Sequence, residues 1–195
     1  MANNFSELVR EIKACRDCRS LFGFEPNPVF GGNQNAKILQ ISQAPSNTAH
    51  ATGKLWADKG GEKLKYKWYQ ISDKQFYNPK NFYITALAHC YPGKTKSGDK
   101  NPPIICAKKW LVKELEVLNP QLFIVIGGLA AKFLFPDQNF TNLIFNNQIL
   151  KGELCLVLPH PSPQNIKWFK DHPDFESKRL PKIRKIIHDV LYRQK

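Results

Sequence analysis

"LFIVIGGLAAKFLF", Leu122 to Phe135, is the longest mostly apolar run in the chain. It carries two glycines and Lys132 and is too short to cross a bilayer, so it belongs to a folded interior. Leu122 to Gly127 reads as a buried strand and Leu129 to Phe135 as a helix. The pair Gly127-Gly128 between them suits a tight turn, or a turn that exposes backbone N–H groups to an anion.

Three further runs share the character of that strand: "KILQIS" (37–42), "FYITAL" (82–87) and "LCLVLP" (154–159). Helical stretches separate them, at Leu64 to Ile71 and Pro103 to Leu118, and a last helix is expected over Leu180 to Tyr192. Near the start, Leu8 and Ile12 lie on one helix face that Asn4 or Ser6 can cap, and a loop rich in Asn, Pro and Gly follows to about Asn35. Strands alternating with helices predict an α/β fold with a parallel sheet covered on both faces and a site at the carboxyl ends of its strands. The expectation is a three-layer α/β/α sandwich around a four-stranded, mostly parallel sheet, as one domain over residues 1–195. The unusual residues all follow strands: "SQAPS" the first, "HCYPG" the second, "GG" the third and "HPSPQN" the fourth.

Lys and Arg total 29 against 16 acids in 195 residues, a net charge of +13. Such a balance attracts polyanions before any specific contact forms, and nucleic acid is the natural candidate. A merely basic protein is the plainer alternative. The first residues lack the regions of a signal peptide, which gives the expectation of a cytoplasmic protein, and no oligomeric interface is legible, so a monomer is expected.

Five cysteines in such a chain suit metal ligation or a core better than disulfides. Cys15 and Cys18 form a CxxC after the first helix. Cys90 lies past the second strand, and Cys106 lies in the first turn of a helix opened by Asn101-Pro102-Pro103. Thiolates at such positions can converge on one centre, either tetrahedral zinc or an iron-sulfur cluster. Cys155 alternates within a strand and reads as core. "PGKTKSGDK", Pro92 to Lys100, contains Gly-Lys-Thr, but Ala88 stands where a phosphate loop needs glycine and two prolines delay the helix, which excludes an NTPase. The segment reads as a basic, solvated connector, with contact to a phosphate backbone as the functional alternative.

"VLPHPSPQN", Val157 to Asn165, sets His160 among three prolines. Together with "SQAPS", the four cysteines and the Asn119–Leu134 turn, it resembles the uracil-DNA glycosylase superfamily, and within it the iron-sulfur (family 4 like) branch. That branch carries Gly-Glu-Ala-Pro-Gly after its first strand, followed by a glycine, a base-stacking aromatic and a glycine. Here Ser42-Gln43-Ala44-Pro45-Ser46 is followed by Gly53, Trp56 and Gly61.

The resemblance implies a DNA glycosylase that hydrolyses the N-glycosidic bond of a flipped deaminated or damaged base, in single- or double-stranded DNA. It implies a [4Fe-4S] cluster on Cys15, Cys18, Cys90 and Cys106, with zinc as the alternative. His160 is then the catalytic residue, donating a hydrogen bond to the departing base. Trp56 stacks on the base, and Pro161, Ser162, Pro163 and Gln164 press on the DNA. Gln43 occupies the catalytic position of the first motif without a carboxylate, and Asp58 is the nearest acid, with His50 a second polar candidate. Ala44 and Ala86 fall at base-binding positions, Ala86 where the family has an asparagine that reads uracil. These departures support a second possibility, a DNA-binding module of the same fold with little or no turnover.

Overall fold

The computed structural model describes residues 4–96 and 98–193. Seven strands occur among them: β1 (Ile38–Ser42), β2 (Phe82–Ala86), β3 (Lys94–Thr95), β4 (Gly98–Asp99), β5 (Leu122–Ile126), β6 (Gln148–Leu150) and β7 (Glu153–Leu158). Five of them form the main sheet in the order β2-β1-β5-β7-β6, parallel except for β6. Every residue of β1, β2 and β5 is buried, as a sheet covered on both faces requires. The core runs from Ile38 and Ile41 through Ile124 and Val125 to Leu156 and Val157, closed by Trp68, Phe175 and Ile183 from the helices.

The expected four strands are present, but the sheet has five. Gln148–Leu150 pairs antiparallel with β7 across a two-residue turn, Lys151-Gly152, in which both residues have positive φ (52° and 85°). That mirror-image turn matches the strand twist. Three residues paired on one side only, with Ile149 65% exposed, carry too little apolar pattern to announce a strand. The stretch expected as a helix from Leu64 is a π-helix, Lys63–Tyr69, continuing the short helix Lys59–Glu62. Within it Lys65 is buried and its ammonium meets Asp73 at 2.7 Å.

Helix Phe5–Ala14 begins at Asn4, whose side chain accepts the Ser6 N–H, and buries Leu8 and Ile12 as its spacing requires. The CxxC itself turns into a short helix, Asp17–Phe22, inside what reads as loop. Beyond β5, Gly127 at φ +91° makes the turn into helix Gly128–Leu134, and its N–H is taken by the Leu158 carbonyl at 2.9 Å. The glycine pair therefore serves the turn, and the Gly127 N–H is engaged. Because β1 has β2 on one side and β5 on the other, the connections diverge at its carboxyl end, where a parallel sheet opens a crevice. Among the described residues no helix is long and apolar enough to cross a membrane.

Candidate functional site

The crevice is a cleft of about 1100 Å³. Its walls are the Ser42–Thr48 segment after β1, the Leu55–Gly60 turn, the β3–β4 hairpin and the loop after β7. Gln43, Ala44, Trp56, Asp58, His160, Ser162, Pro163 and Gln164 all line it, so residues far apart in sequence meet at one place. Ala86 does not: it is fully buried in register with Ser42 and lies outside the lining. Pro161 is also buried, packed toward Gly60. His50 sits in helix Asn47–Thr52 with its ring 6.1 Å from that of Tyr91, away from the cleft wall.

His160 is held by its own loop. The Ser162 N–H donates to its Nδ1 at 3.2 Å, and the Asn165 amide donates to its carbonyl at 3.3 Å. An Nδ1 that accepts fixes the neutral tautomer with its proton on Nε2. Burial lowers the His160 pKa below its ordinary 6.5, while the charges of Asp58 and Asp99 oppose that shift. The prolines make this possible: with φ fixed at Pro161 and Pro163, the chain cannot swing the imidazole away. Ser162 caps the short 3-10 turn Pro163–Asn165 by accepting the Gln164 N–H, which leaves its hydroxyl proton to donate.

The Trp56 ring lies 5.6 Å from that of His160, tilted by 32°. Its backbone is in the left-handed region at φ +58°, held by the Tyr77 hydroxyl, which donates to the Leu55 and Trp56 carbonyls at 2.9 and 3.2 Å. Gly61 packs directly beneath: a Cβ there would stand 1.9 Å from the Trp56 carbonyl oxygen. Gly61 thus has a steric reason, whereas Gly53 ends helix Asn47–Thr52 in the left-handed region at φ +68°. Asp58 accepts the Gly61 N–H at 2.9 Å and N-caps helix Lys59–Glu62, so the acid belongs to both the turn and the cleft.

Sequence reasoning missed Tyr77, Asp99 and the hairpin. Pro92 to Lys100 is expected as a basic connector, solvated or touching a phosphate backbone, and β3 and β4 fold it into a wall of the cleft. The Ser-Gly dipeptide within this basic run is the turn signal that could have announced it.

The four cysteines of the two clusters also approach one another. Cys18 and Cys90 are buried, Cys15 and Cys106 half-buried, and none is in a disulfide. Burial pushes the Cys18 thiol up to about 11 and the Cys90 thiol up to about 12, and charge on Cys106 and Cys15 adds to both. An ion pair of 2.7 Å between Asp17 and Lys109 ties the CxxC helix to the helix after Cys106. The Cys106 sulfur accepts the His89 backbone N–H at 3.4 Å and lies 3.5 Å from His89 Nδ1. Behind it, Glu114 is fully buried and meets Tyr83, Thr85 and His89 at 2.7, 2.9 and 3.1 Å. Thr85 faces this network, on the side away from the cleft. Among the described residues no three His, Cys, Asp or Glu side chains are gathered tightly enough to hold a metal ion. Four free thiols around one small region nonetheless make a donor set whose chemistry suits tetrahedral zinc or an iron-sulfur cluster. Cys155 is buried within β7, paired with Phe123, as its alternation indicates.

The description of the uracil DNA glycosylase superfamily matches residues 29–184. The chain belongs to the uracil DNA glycosylase superfamily. It is similar to the type-4 uracil-DNA glycosylase of Archaeoglobus fulgidus, 28% identical over 143 residues, which are 72% of this chain and 69% of that protein. The type-4 uracil-DNA glycosylase of Saccharolobus solfataricus is 25% identical over 138 residues, 70% of this chain and 62% of the relative. The type-5 uracil-DNA glycosylase of Pyrobaculum aerophilum is 23% identical over 149 residues, 69% of this chain and 65% of the relative. The superfamily match spans both the Ser42–Gly61 wall and the His160 loop, the two faces of the cleft.

Proposed function

We propose that the protein is a cytoplasmic DNA glycosylase that hydrolyses the N-glycosidic bond of an altered base turned out of DNA into this cleft. The observation that carries the reading is the fixed, neutral His160 with its proton on Nε2 beside the Trp56 ring. As the bond between C1′ and the base nitrogen breaks, its electron pair moves onto the base and negative charge collects on a carbonyl oxygen. A positioned N–H at that oxygen stabilises the leaving group, a contribution of roughly 10²–10³ in rate. Trp56 offers a face for the unstacked base and recovers part of the flipping cost, a few kcal/mol. Water completes the reaction at C1′, giving its proton to Asp58, the carboxylate in the wall beside His160. Asp58 would thus take a task that Gln43 and Ala44 lack the chemistry to perform.

Cys15, Cys18, Cys90 and Cys106 would hold a [4Fe-4S] cluster. Tetrahedral zinc on the same four sulfurs is the alternative, and elemental analysis with the visible spectrum of anaerobically purified protein separates the two. The cluster would act as a structural cross-link between the CxxC helix and the Cys90–Cys106 loop.

The base is set by contacts at the cleft floor. With buried Ala86 offering no amide, the reading favours a deaminated base recognised by shape and stacking over one read by an asparagine. The test is single-turnover base release from oligonucleotides carrying uracil, hypoxanthine or xanthine, in single and double strands. At least one base should be released, and His160→Ala should slow release at least 100-fold, in line with the roughly 10²–10³ of one lost donor. No release from any substrate at enzyme excess overturns the catalytic reading and leaves binding without turnover, the possibility that Ala44 and Ala86 favour.

A further inference from the structure

One lysine of the chain is buried and has no part in the chemistry above. Lys65 lies in the π-helix Lys63–Tyr69 and is 3% exposed, a placement that demands partners for its charge. Its ammonium donates to Asp73 Oδ1 at 2.7 Å and to the Tyr77 hydroxyl at 3.3 Å. The Tyr66 hydroxyl donates to the same Asp73 oxygen at 2.7 Å, and Lys54 approaches the other at 3.9 Å. The hydrogen bonds from Lys65 and Tyr66 hold the Asp73 carboxyl below its ordinary 3.8. Asp73 is itself fixed at the start of helix Asp73–Phe76, which Ser72 and Gln75 close with a capping box. π-Helices are rare and concentrate at functional sites, and this one carries the lysine toward the back of the cleft wall.

The arrangement decides where one proton points. An ammonium can only donate, so the Tyr77 oxygen accepts from Lys65 and its single proton is left for the Leu55 and Trp56 carbonyls, at 2.9 and 3.2 Å. Burial pushes the Tyr77 phenol up to about 12, and the charges of Asp73 and Asp58 add to that, so the hydroxyl remains a donor. Those two carbonyls flank the peptide unit of a bulky residue held at φ +58°, a conformation that persists only where its surroundings over-determine it. The Trp56 side chain supplies no anchor of its own. Its indole Nε1 is buried and has no hydrogen-bond partner among the described residues, so backbone and packing alone aim the ring.

We infer that Lys65 is a positioning residue that, through Tyr77, locks the Trp56 backbone and so presents the indole to a base turned into the cleft. The inference rests on the reading that Trp56 stacks on that base, and it adds which groups hold the ring in place. Neither Lys65 nor Tyr77 lines the cleft, so neither touches the base. A displaced indole loses the same contact in the bound state and in the transition state, which raises KM and leaves kcat unchanged.

Tyr77→Phe deletes one oxygen, and Lys65→Met replaces the ammonium with an apolar chain of similar length. The probes are single-stranded oligonucleotides carrying 2′-fluoro-2′-deoxyuridine or 2′-fluoro-2′-deoxyinosine, which resist hydrolysis, and the same strand with a tetrahydrofuran abasic analogue. The ratio of their Kd values is the contribution of the base. Trp56→Ala should cut that ratio roughly 5- to 150-fold, the range for one stacked base. Tyr77→Phe and Lys65→Met should each cut it about fivefold, as for one lost hydrogen bond, and should have no effect when Trp56 is already alanine. The His160 imidazole resonances, identified by their loss in His160→Asn, report the ring 5.6 Å away without DNA, and both variants should shift them. Unmoved resonances, a base contribution that neither variant lowers, or an equal loss with and without Trp56 overturns the inference. If the wild type binds base and abasic strands equally while the resonances move, the stacking reading falls and the positioning of Trp56 stands.

Discussion

Asp58 is the position at which fold and chemistry can be separated by one atom. Its Oδ1 accepts the Gly61 N–H at 2.9 Å, and the carboxylate lines the cleft beside His160. Asparagine presents a side-chain oxygen at the same reach and is as good an N-cap as aspartate. Asp58→Asn therefore retains the cap and removes the charge and the proton acceptor, whereas Asp58→Ala removes all three. In urea unfolding the Ala variant should lose roughly 0.5–2 kcal/mol and the Asn variant a few tenths. In single-turnover base release on whichever lesion the wild type accepts, both variants should be slower by roughly 10²–10⁴, the range of a lost general base.

The pH profile supplies an independent check on the same variant. Burial depresses the His160 pKa below 6.5, and Asp58 and Asp99 act against that depression. Protonating Nδ1 would set two N–H donors face to face, at the contact now made by Ser162. Activity is thus present above the folded pKa and lost as pH falls through it, and the same depressed pKa makes His160 cost stability below the unfolded value. Removing the Asp58 charge takes away an influence that raises the pKa, so the acid limb of residual activity should move to lower pH. An Asn variant with the wild-type rate and an unmoved acid limb would refute the assignment and reduce Asp58 to a cap.

Gly61→Ala should be among the costliest single-methyl changes in the chain. The added Cβ meets the Trp56 backbone at 1.9 Å, and overpacking of this kind costs about 1–3 kcal/mol, with weakened substrate binding as the aromatic shifts. Denaturant melts and KM report the two effects separately. Glu114→Gln breaks a fully buried charged network with Tyr83, Thr85 and His89 and should destabilise by about 3–5 kcal/mol in chemical unfolding. Cys90→Ser should lower the bound iron and the visible absorbance of protein purified anaerobically, while Cys155→Ser, at a buried site in β7, should leave both unchanged.

The amino-acid sequence by itself determined the four long strands, because each is a continuous apolar run that only a sheet covered on both faces can bury. It also determined the stiff histidine loop, since proline restricts φ wherever it stands, and the two cysteine clusters, which are local spacings. Tertiary structure decided what depends on partners distant in the chain. β6 exists because β7 offers it an edge; its own three residues carry no strand pattern. The tautomer of His160 follows from where the Ser162 N–H points. Ala86, aligned with the base-reading position by its distance from Cys90, lies buried against Ser42 outside the cleft wall. Asp99 and the hairpin lysines Lys94, Lys96 and Lys100 became part of the site only when an antiparallel pairing folded a basic loop against the cleft. Local composition settles which segments must be buried or stiff, whereas the meeting of charges across a cleft depends on contacts that no window of sequence contains.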